Sequence, residues 1–523
     1  MEFIRMTTSK FQLSGLGLAT VLLAANTSLA QTFEPAQTVG LGPWSTDPGF
    51  TIGETFNGYT PPGIPDGQGA WDRGDTVEIA ANHELRSTEG YTYTLANGAE
   101  LRGARISSLV FDKDSRQLID MGPAYHTIIN RAGAPVTGPQ DLDFGGLNRL
   151  CSAGYVAEGQ AGFVDDIFFS GEETGGGTEF VLDVANDVLY AAPWMGRAAW
   201  ESVALLDVPT INKTHVAVLV GDDRGDAPLL LYVGEKQRGG GFLERNGLAG
   251  GRLYMWVADD GSVSPADWNG TGTTRRGTFV EVENYNAAAV GGGDPNFDEL
   301  GFATQSYLDQ QKADIGAFNF SRPEDLHTNP APGKGGQVIF ASTGRNTTLN
   351  QGADLWGTTY LIDVKINPGR IRTDNITADL TIVYDGDDAG LQFPDPDYGI
   401  RSPDNLVWAD DGQIYIQEDR SVGGFGDVSG EETSIWKLDP TSGLVDRVAQ
   451  VYRDSVPTNQ VDTNPLDLGN WETSGIIDVT ELFGAEGERL LFFNVQAHSL
   501  RGGPIDSENL VQGGQFLFMS KPE

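Results

Sequence analysis

The chain has 523 residues, with 34 lysine and arginine residues against 73 aspartate and glutamate residues. An apolar fraction of 39% and a charged fraction of 20% exclude a disordered chain, a collagen and a coiled coil. The net charge of −39 argues against binding to duplex nucleic acid, because recognition of its phosphates needs a basic face.

The N-terminus has the pattern of a secretory signal over residues 1–30. Arg5 and Lys10 precede an uncharged apolar run, and the small residues Ser28 and Ala30 suit cleavage by a signal peptidase near Ala30. The run is too short to span a membrane, and no later run is long and apolar enough. We therefore expect a periplasmic or secreted protein without a membrane span. Nothing in the sequence demands an oligomer, so we expect a monomer.

Short apolar runs that end in polar or acidic residues recur six times along the chain. These runs are Val77–Glu84, Ile167–Glu173, Leu230–Glu235, Val338–Thr343, Ile414–Asp419 and Leu490–Gln496. Such runs, bounded by Gly, Asp and Pro, are typical of β-strands. The sixfold recurrence predicts an all-β fold, a six-bladed β-propeller with long inter-strand loops and a few short helices. We predict one domain over 31–523, in which 263–313 is an insertion with one helix.

Polar side chains at the ends of these runs are candidate ligands for cations. They are Asn82, Glu84, Glu172, Glu173, Glu235, Glu418 and Asp419. If the six runs are the innermost strands of a propeller, their ends converge at one mouth of the central channel. So many carboxylates at close range stay ionised only when cations compensate them, and hard oxygen ligands suit calcium. A solvated acidic surface is the alternative interpretation of the same residues.

The chain has a single cysteine, Cys151, so no intramolecular disulfide can form. A free cysteine is usually a small buried hydrophobe. The neighbouring residues 148–154 are small and polar, which argues mildly against a plain core position.

Arg322-Pro323-Glu324 places a cation next to acids. An arginine close to a metal cluster suits an oxyanion substrate, because its planar fork grips two phosphate oxygens at once. A surface salt bridge is the alternative for this segment.

The order of these segments resembles that of the PhoX-type bacterial alkaline phosphatases. The likeness rests on Asn82-His83-Glu84, Arg149-Leu150-Cys151-Ser152-Ala153-Gly154, Gly171-Glu172-Glu173, Gly196-Arg197 with Glu201, Gly221-Asp222-Asp223-Arg224, Arg322-Pro323-Glu324 and Glu418-Asp419. The resemblance implies a six-bladed propeller that carries iron and calcium at one mouth. It also implies an exported enzyme that hydrolyses small organic phosphate monoesters and releases inorganic phosphate.

The same resemblance implies roles for individual residues. Cys151 would bind Fe³⁺, with Glu324 and Glu235 as carboxylate partners. Arg322 would grip the phosphate and act with Glu324 in catalysis. The residues that would hold Ca²⁺ or bridge metals are Asn82, Glu84, Glu172, Glu173, Glu418 and Asp419.

Two other functions fit an exported acidic propeller. One is a calcium-dependent lactonase or esterase, because the segment 402–416 looks like a blade of such enzymes. The other is a non-catalytic calcium-binding scaffold. A lactonase of this kind needs no thiolate, so substitution of Cys151 by serine distinguishes it from an iron phosphatase.

Overall fold

The computed structural model describes residues 34–344, 352–367 and 376–522. The predicted signal over 1–30 lies outside the described residues. Strands dominate, and the bounds of the first half are β1 (Thr38–Gly40), β2 (Ser45–Thr51), β3 (Pro65–Asp72), β4 (Thr76–His83), β5 (Tyr93–Thr94), β6 (Glu100–Leu101), β7 (Arg105–Asp112), β8 (Leu118–Pro123), β9 (Thr127–Ile129), β10 (Leu150–Val156), β11 (Ile167–Gly177), β12 (Glu179–Asp183), β13 (Val188–Ala191), β14 (Ala198–Leu205), β15 (His215–Asp222) and β16 (Leu230–Glu235).

The second half continues in the same way. Its strands are β17 (Gly251–Ala258), β18 (Thr274–Val282), β19 (Pro323–Thr328), β20 (Gln337–Ser342), β21 (Thr358–Ile366), β22 (Ile376–Asp385), β23 (Pro403–Trp408), β24 (Ile414–Glu418), β25 (Ser434–Leu438), β26 (Val445–Val451), β27 (Val461–Asp462), β28 (Trp471–Asp478), β29 (Glu488–Ala497), β30 (Leu500–Arg501) and β31 (Gly513–Pro522). Three short α-helices are α1 (Phe242–Arg245), α2 (Gln305–Ile315) and α3 (Pro504–Ser507).

Six innermost strands surround a central channel. They are β3, β10, β14, β19, β23 and β28, and each contacts the next in this order, with β28 returning to β3. Residues of all six strands line a cavity of about 380 Å³ in the channel. Each innermost strand begins an antiparallel group of four: β3-β4-β7-β8, β10-β11-β12-β13, β14-β15-β16-β17, β19-β20-β21-β22, β23-β24-β25-β26 and β28-β29-β31-β2.

Strands from both ends of the chain share two of these groups. β2 is the outermost strand of the last group and pairs with β31, while β1 adds to the outer edge of β26. Hydrogen bonding between N-terminal and C-terminal strands closes the ring. This joint ties the first described residues to the last strand of the fold.

The six apolar runs recognised in the sequence are not the innermost strands, which corrects that prediction. Five of them are second strands, namely β4, β11, β20, β24 and β29, and the remaining run, β16, is a third strand. Second strands are covered on both faces and are therefore nearly continuous in apolar residues. Innermost strands line the channel and carry glycine and polar residues, as in the segment 65–70 of β3. Because of this composition, the innermost strands do not stand out as apolar runs in the sequence.

The hydrophobic core is distributed between adjacent strand groups. Between the third and fourth groups, Trp256, Phe320, Phe340 and Tyr360 are fully buried in edge-to-face and stacked contacts. Aromatic pairs of this kind add stability beyond the area that they bury. This packing joins the third and fourth strand groups.

The segment 263–313 contains both a strand and most of a helix. β18 pairs with β17 and with β22, so it links the third and fourth strand groups at their outer edges. Thr304 caps the N-terminus of α2, and its hydroxyl accepts a hydrogen bond from the Tyr307 N–H. Gly316, with φ 67°, caps the C-terminus.

The all-β class and the propeller-like arrangement are confirmed. The number of blades stays a prediction, which the ring of six innermost strands supports. Across the described ranges, no helix is both long enough and apolar enough for a membrane crossing.

Candidate metal centre and active site

The innermost strands start with an irregular backbone at one mouth of the channel. In four of them the preceding residue has a positive φ: Ile64 at 51°, Arg149 at 52°, Arg322 at 67° and Ser402 at 47°. A register shift follows the first paired residue in five strands, so two residues are skipped before pairing resumes. A bulge of this kind redirects side chains, and here it repeats around the ring.

A ring of buried acids and one thiol results. In each innermost strand, the residue after the first cross-strand pair carries an acid or the thiol. We call this set the inner ring: Asp66, Cys151, Glu201, Glu324, Asp404 and Glu472. All six side chains are buried, with exposures between 1% and 8%.

The ends of the second strands supply a second ring around the same mouth. Each member follows the residue that pairs with the start of the innermost strand. We call this set the outer ring: Glu84, Glu173, Asp223, Thr343, Asp419 and His498. Four of its members are carboxylates, so the mouth combines two layers of acids.

Three sets of ligand atoms within these rings are close enough to share cations. Within each set the atoms lie within 4.8 Å of one another. The sets are Asp66, Glu84 and Cys151; Cys151, Glu173 and Glu201; and Glu201, Asp223 and Glu324. Cys151 and Glu201 each belong to two sets, so the three form one continuous arc along four strand groups.

Several carboxylate oxygens of the inner ring have no hydrogen-bond donor close to them. Both carboxylate oxygens of Glu201 and Oδ1 of Asp404 are buried without a hydrogen-bond partner. Burial and the carboxylate of Glu324 raise the pKa of Glu201 well above its usual range. Burial and the Glu84 carboxylate raise the pKa of Asp66 to about 8. Such a cluster fits bound cations, because they favour the charged form of every ligand.

The thiol of Cys151 lies inside the same cluster. Its Sγ donates to Oδ2 of Asp66 over 3.3 Å. Burial and the charge of Asp66 raise the pKa of the thiol well above its usual range. A buried cysteine between carboxylates is not a plain core residue, and a metal is the partner that would make its thiolate stable.

Two arginines flank the arc at the strand starts. Arg322 binds Asp223 through two hydrogen bonds of 2.6 and 2.9 Å, contacts Glu324 at 2.9 Å and donates to the Ser421 hydroxyl over 3.0 Å. Burial opposes the charged form of Asp223, but the Arg322 guanidinium lowers the pKa to about 2. Arg149 contacts Glu84 at 2.7 Å and also binds Glu173. Both guanidinium groups are therefore held at the edge of the acid cluster.

Six of the predicted site residues are brought together at this mouth. They are Glu84, Cys151, Glu173, Arg322, Glu324 and Asp419. Asp419 lies 4.0 Å from Arg322 and does not belong to any of the three sets of ligand atoms.

Four predicted ligands lie elsewhere or have partners within the chain, and their roles as metal ligands stay predictions. Asn82 donates to the carbonyl oxygens of Cys151 and Ser152 and accepts from Ser170, so it holds the strand of Cys151 in place. Glu172 accepts from the backbone N–H groups of Asn148 and Thr178. Strand alternation turns it away from Glu173.

Glu418 and Glu235 are the other two. Glu418 is fully buried and pairs with Arg401, and it also accepts from the indole of Trp436. Glu235 is exposed and pairs with His215 in the register of β15 and β16. Because β16 is a third strand, it ends at the opposite mouth of the channel.

Sequence inspection missed several members of the cluster as site residues. They are Asp66, Arg149, Glu201, Asp223, Asp404 and Glu472. One partial signal was present in the sequence: a proline followed by an acid starts three innermost strands, at Pro65-Asp66, Pro323-Glu324 and Pro403-Asp404. The same pair also occurs at Pro394-Asp395, Pro396-Asp397 and Pro522-Glu523, which do not start innermost strands. Alignment of the first three dipeptides would have revealed half of the inner ring.

Comparison with known proteins identifies the family. The model of the family "Alkaline phosphatase PhoX" matches residues 185–455, which is more than half of the chain. This chain belongs to the PhoX family. Phosphatase activity, as a phosphoric monoester hydrolase, follows from this membership and agrees with the resemblance noted in the sequence. Among curated protein sequences, none matches the chain.

Solved structures also give matches to this chain. A structure of Pseudomonas fluorescens PhoX in complex with vanadate, a transition state analogue, superposes with a TM-score of 0.62 at 14% identity, over 94% of this chain and 97% of that chain. A putative 6-phosphogluconolactonase from Bacteroides uniformis gives a TM-score of 0.30 at 11% identity over 73% and 82% of the two chains. The β-propeller domain of the Trilobed protease from Pyrococcus furiosus gives 0.28 at 8% identity over 84% and 97%.

Proposed function

We propose that the two rings at the channel mouth bind calcium and iron together and form the phosphatase active site of an exported enzyme. The single observation that carries this proposal is the continuous arc of buried ligand atoms, in which Glu201 has no hydrogen-bond partner for either oxygen. A carboxylate in this situation needs a cation. Small organic phosphate monoesters are the proposed substrates.

The donor set supports two kinds of metal. Carboxylate oxygens of Asp66, Glu84, Glu173 and Asp223 suit calcium, a hard cation. The thiolate of Cys151, with Glu201 or Glu324, suits a transition metal such as iron better than calcium. When bound, these cations would polarise the phosphate oxygens and neutralise the charge that develops on them.

Arg322 and Arg149 would orient the phosphate over the cluster. The guanidinium of Arg322 is planar and is fixed by Asp223 and Ser421, so its orientation is set before substrate arrives. Arg149 is held by Glu84 and Glu173 and is one-third exposed. A preorganised fork loses little side-chain freedom when it binds an oxyanion. We propose that these two side chains position the ester while the inner ring stays behind it.

Elemental analysis of purified protein with and without Cys151 tests the proposal. Wild type should contain both iron and calcium and should hydrolyse 4-nitrophenyl phosphate. Cys151→Ser should lose iron, retain most of the calcium and lose activity. Ser115→Ala is the matched control. Ser115 lies in an exposed turn and donates hydrogen bonds to Asp112, so this substitution should leave the iron and calcium content unchanged.

Two results would contradict the proposal. Iron that persists in Cys151→Ser would remove the thiol from the metal site. Calcium alone in wild type, with turnover of lactones and none of phosphate esters, would favour a calcium-dependent lactonase on this fold.

A further inference from the structure

A second cavity lies beside the first strand group, outside the acid cluster. It has a volume of about 360 Å³. We call it the tyrosine pocket, because its walls are Tyr59, Tyr91, Tyr93, Tyr125 and Arg105. It opens at the mouth-side ends of β7 and β8. β7 is two strands out from β3, so roughly 10 Å of sheet separates the pocket from the inner ring.

Arg105 is a buried cation inside this pocket. Only 3% of the residue is exposed. Its guanidinium lies over the rings of Tyr91 and Tyr93, with 4.3 and 4.4 Å to the ring centroids. Nη2 donates to the carbonyl oxygens of Tyr91 and Gly103, and Nε makes a long bond to Gly103. Nη1 is buried and has no hydrogen-bond partner.

The described residues supply no anion to this cation. Arg105 has no carboxylate within 4.0 Å of its nitrogens in the part of the chain that the structure describes. Glu508 lines the pocket but is exposed at its rim. Stacking on two tyrosines offsets part of the cost of burying a charge. A buried guanidinium without a carboxylate partner, in the wall of a cavity, still favours an anion.

The hydroxyl groups of the pocket add one free donor. Tyr59 is bonded to Ser107, and Tyr91 donates to the Thr60 carbonyl. Tyr93 and Tyr125 share a hydrogen bond of 3.1 Å, so one of these two hydroxyls keeps a hydrogen to donate. This hydroxyl is therefore a donor for a ligand, the guanidinium of Arg105 supplies an uncompensated positive charge beside it, and the tyrosine rings offer flat apolar walls.

We propose that the tyrosine pocket binds a small organic acid, a planar or apolar body that carries one carboxylate. The carboxylate would accept from the free hydroxyl and lie beside the positive charge of Arg105, and the body would stack between the tyrosines. A single negative charge fits better than two, because Glu508 stands at the rim. This site goes beyond the phosphatase activity and does not depend on the metals.

Calorimetric titration of the metal-loaded protein with benzoate and with benzamide tests the site. The two probes have the same shape, and only benzoate is charged. Benzoate should bind with a Kd near or below about 1 mM, and benzamide at least about tenfold more weakly. Addition of 10 mM inorganic phosphate should leave benzoate binding unchanged, because phosphate would bind at the acid cluster and not in the tyrosine pocket.

Variants locate the binding. Arg105→Gln should weaken benzoate at least about tenfold, whereas Arg102→Gln, an exposed arginine close by in sequence, should not. Tyr125→Phe removes a hydroxyl and should weaken benzoate several-fold even if Arg105→Gln fails to fold. Three results would each overturn the proposal. The first is equal affinity of the wild type for benzoate and benzamide, and the second is loss of benzoate binding in phosphate. The third is unchanged benzoate affinity in both Tyr125→Phe and Arg105→Gln.

Discussion

The acid cluster at the channel mouth and the tyrosine pocket bury charges of opposite sign that the protein does not neutralise by itself. The cluster gathers carboxylates and a thiol, and both oxygens of Glu201 lack a partner. The tyrosine pocket holds one guanidinium, and Nη1 of Arg105 lacks a partner. The first arrangement favours cations and the second favours an anion. In both places the unpartnered atom, and not the burial alone, points to a ligand.

Arg401 and Glu418 show how the same fold treats a buried charge that needs no ligand. Both side chains are fully buried, and they form an ion pair of 2.9 Å. Arg401 also binds Asp397 and two carbonyl oxygens and lies over Phe425 at 3.8 Å. Every charge in this group has a partner within the chain. It is therefore a structural pair, although Glu418 ends β24 much as Glu84 directly follows the end of β4.

Removal of metals should give the largest effect, because it should disable the acid cluster and leave the tyrosine pocket unaffected. Chelation with EDTA should abolish phosphatase activity and lower the free energy of unfolding by about 4 kcal/mol for each ion that was held at 1,000 times its Kd. Benzoate binding to the tyrosine pocket should persist. Activity assays, thermal unfolding and calorimetry on the same samples check this, and unchanged stability after complete metal loss would contradict it.

The structural pair should respond through stability and not through metal content. Glu418→Gln leaves Arg401 buried without its main partner, so we expect a loss of about 3–5 kcal/mol in the free energy of unfolding. The exposed pair Lys365–Asp379 provides the control, and Asp379→Asn should cost at most about 1 kcal/mol. Urea unfolding measures both. A loss of bound calcium in folded Glu418→Gln would return Glu418 to the list of ligands.

Two buried glutamates sharpen the comparison inside the mouth itself. Glu201→Gln removes an unpartnered carboxylate and should lower metal content and reduce kcat/KM by about 100-fold to 1,000-fold. Glu172→Gln changes a carboxylate that is bonded to backbone N–H groups, and it should leave metal content unchanged. Elemental analysis with steady-state kinetics separates the two. Equal metal loss in both variants would show that burial alone decides binding.

The smallest effect is expected for a conservative change at Arg322. Arg322→Lys keeps the charge but loses the planar fork that Asp223 orients, so kcat/KM should fall about 10-fold to 100-fold while metal content stays the same. Arg245→Lys, which changes a remote ion pair with Asp165, is the control and should leave kinetics unchanged. An Arg322→Lys enzyme with normal kinetics would remove Arg322 from the substrate site.

Part of the site could be predicted from the sequence because its residues stand at recognisable strand ends. Glu84, Glu173 and Asp419 follow apolar runs, and Cys151 is the single cysteine of the chain. Glu201 was harder to find, because it lies inside a strand whose other residues are apolar apart from Ser202. Its position beside Cys151 depends on a bulge between Trp200 and Val203, and a bulge has no clear signature in one sequence.

The amino-acid sequence by itself determined the all-β class, the recurrence of apolar strands and the presence of acids at their ends, because these depend on local patterns of burial and turn residues. Only the tertiary structure decided which strand of each group lines the channel and which acids remain without a partner. Neighbours in the inner ring come from different strand groups, so their distances follow from the closure of the ring. Glu418 pairs with Arg401 inside its own strand group, whereas Glu201 has no hydrogen-bond partner, and no local sequence pattern distinguishes these two glutamates.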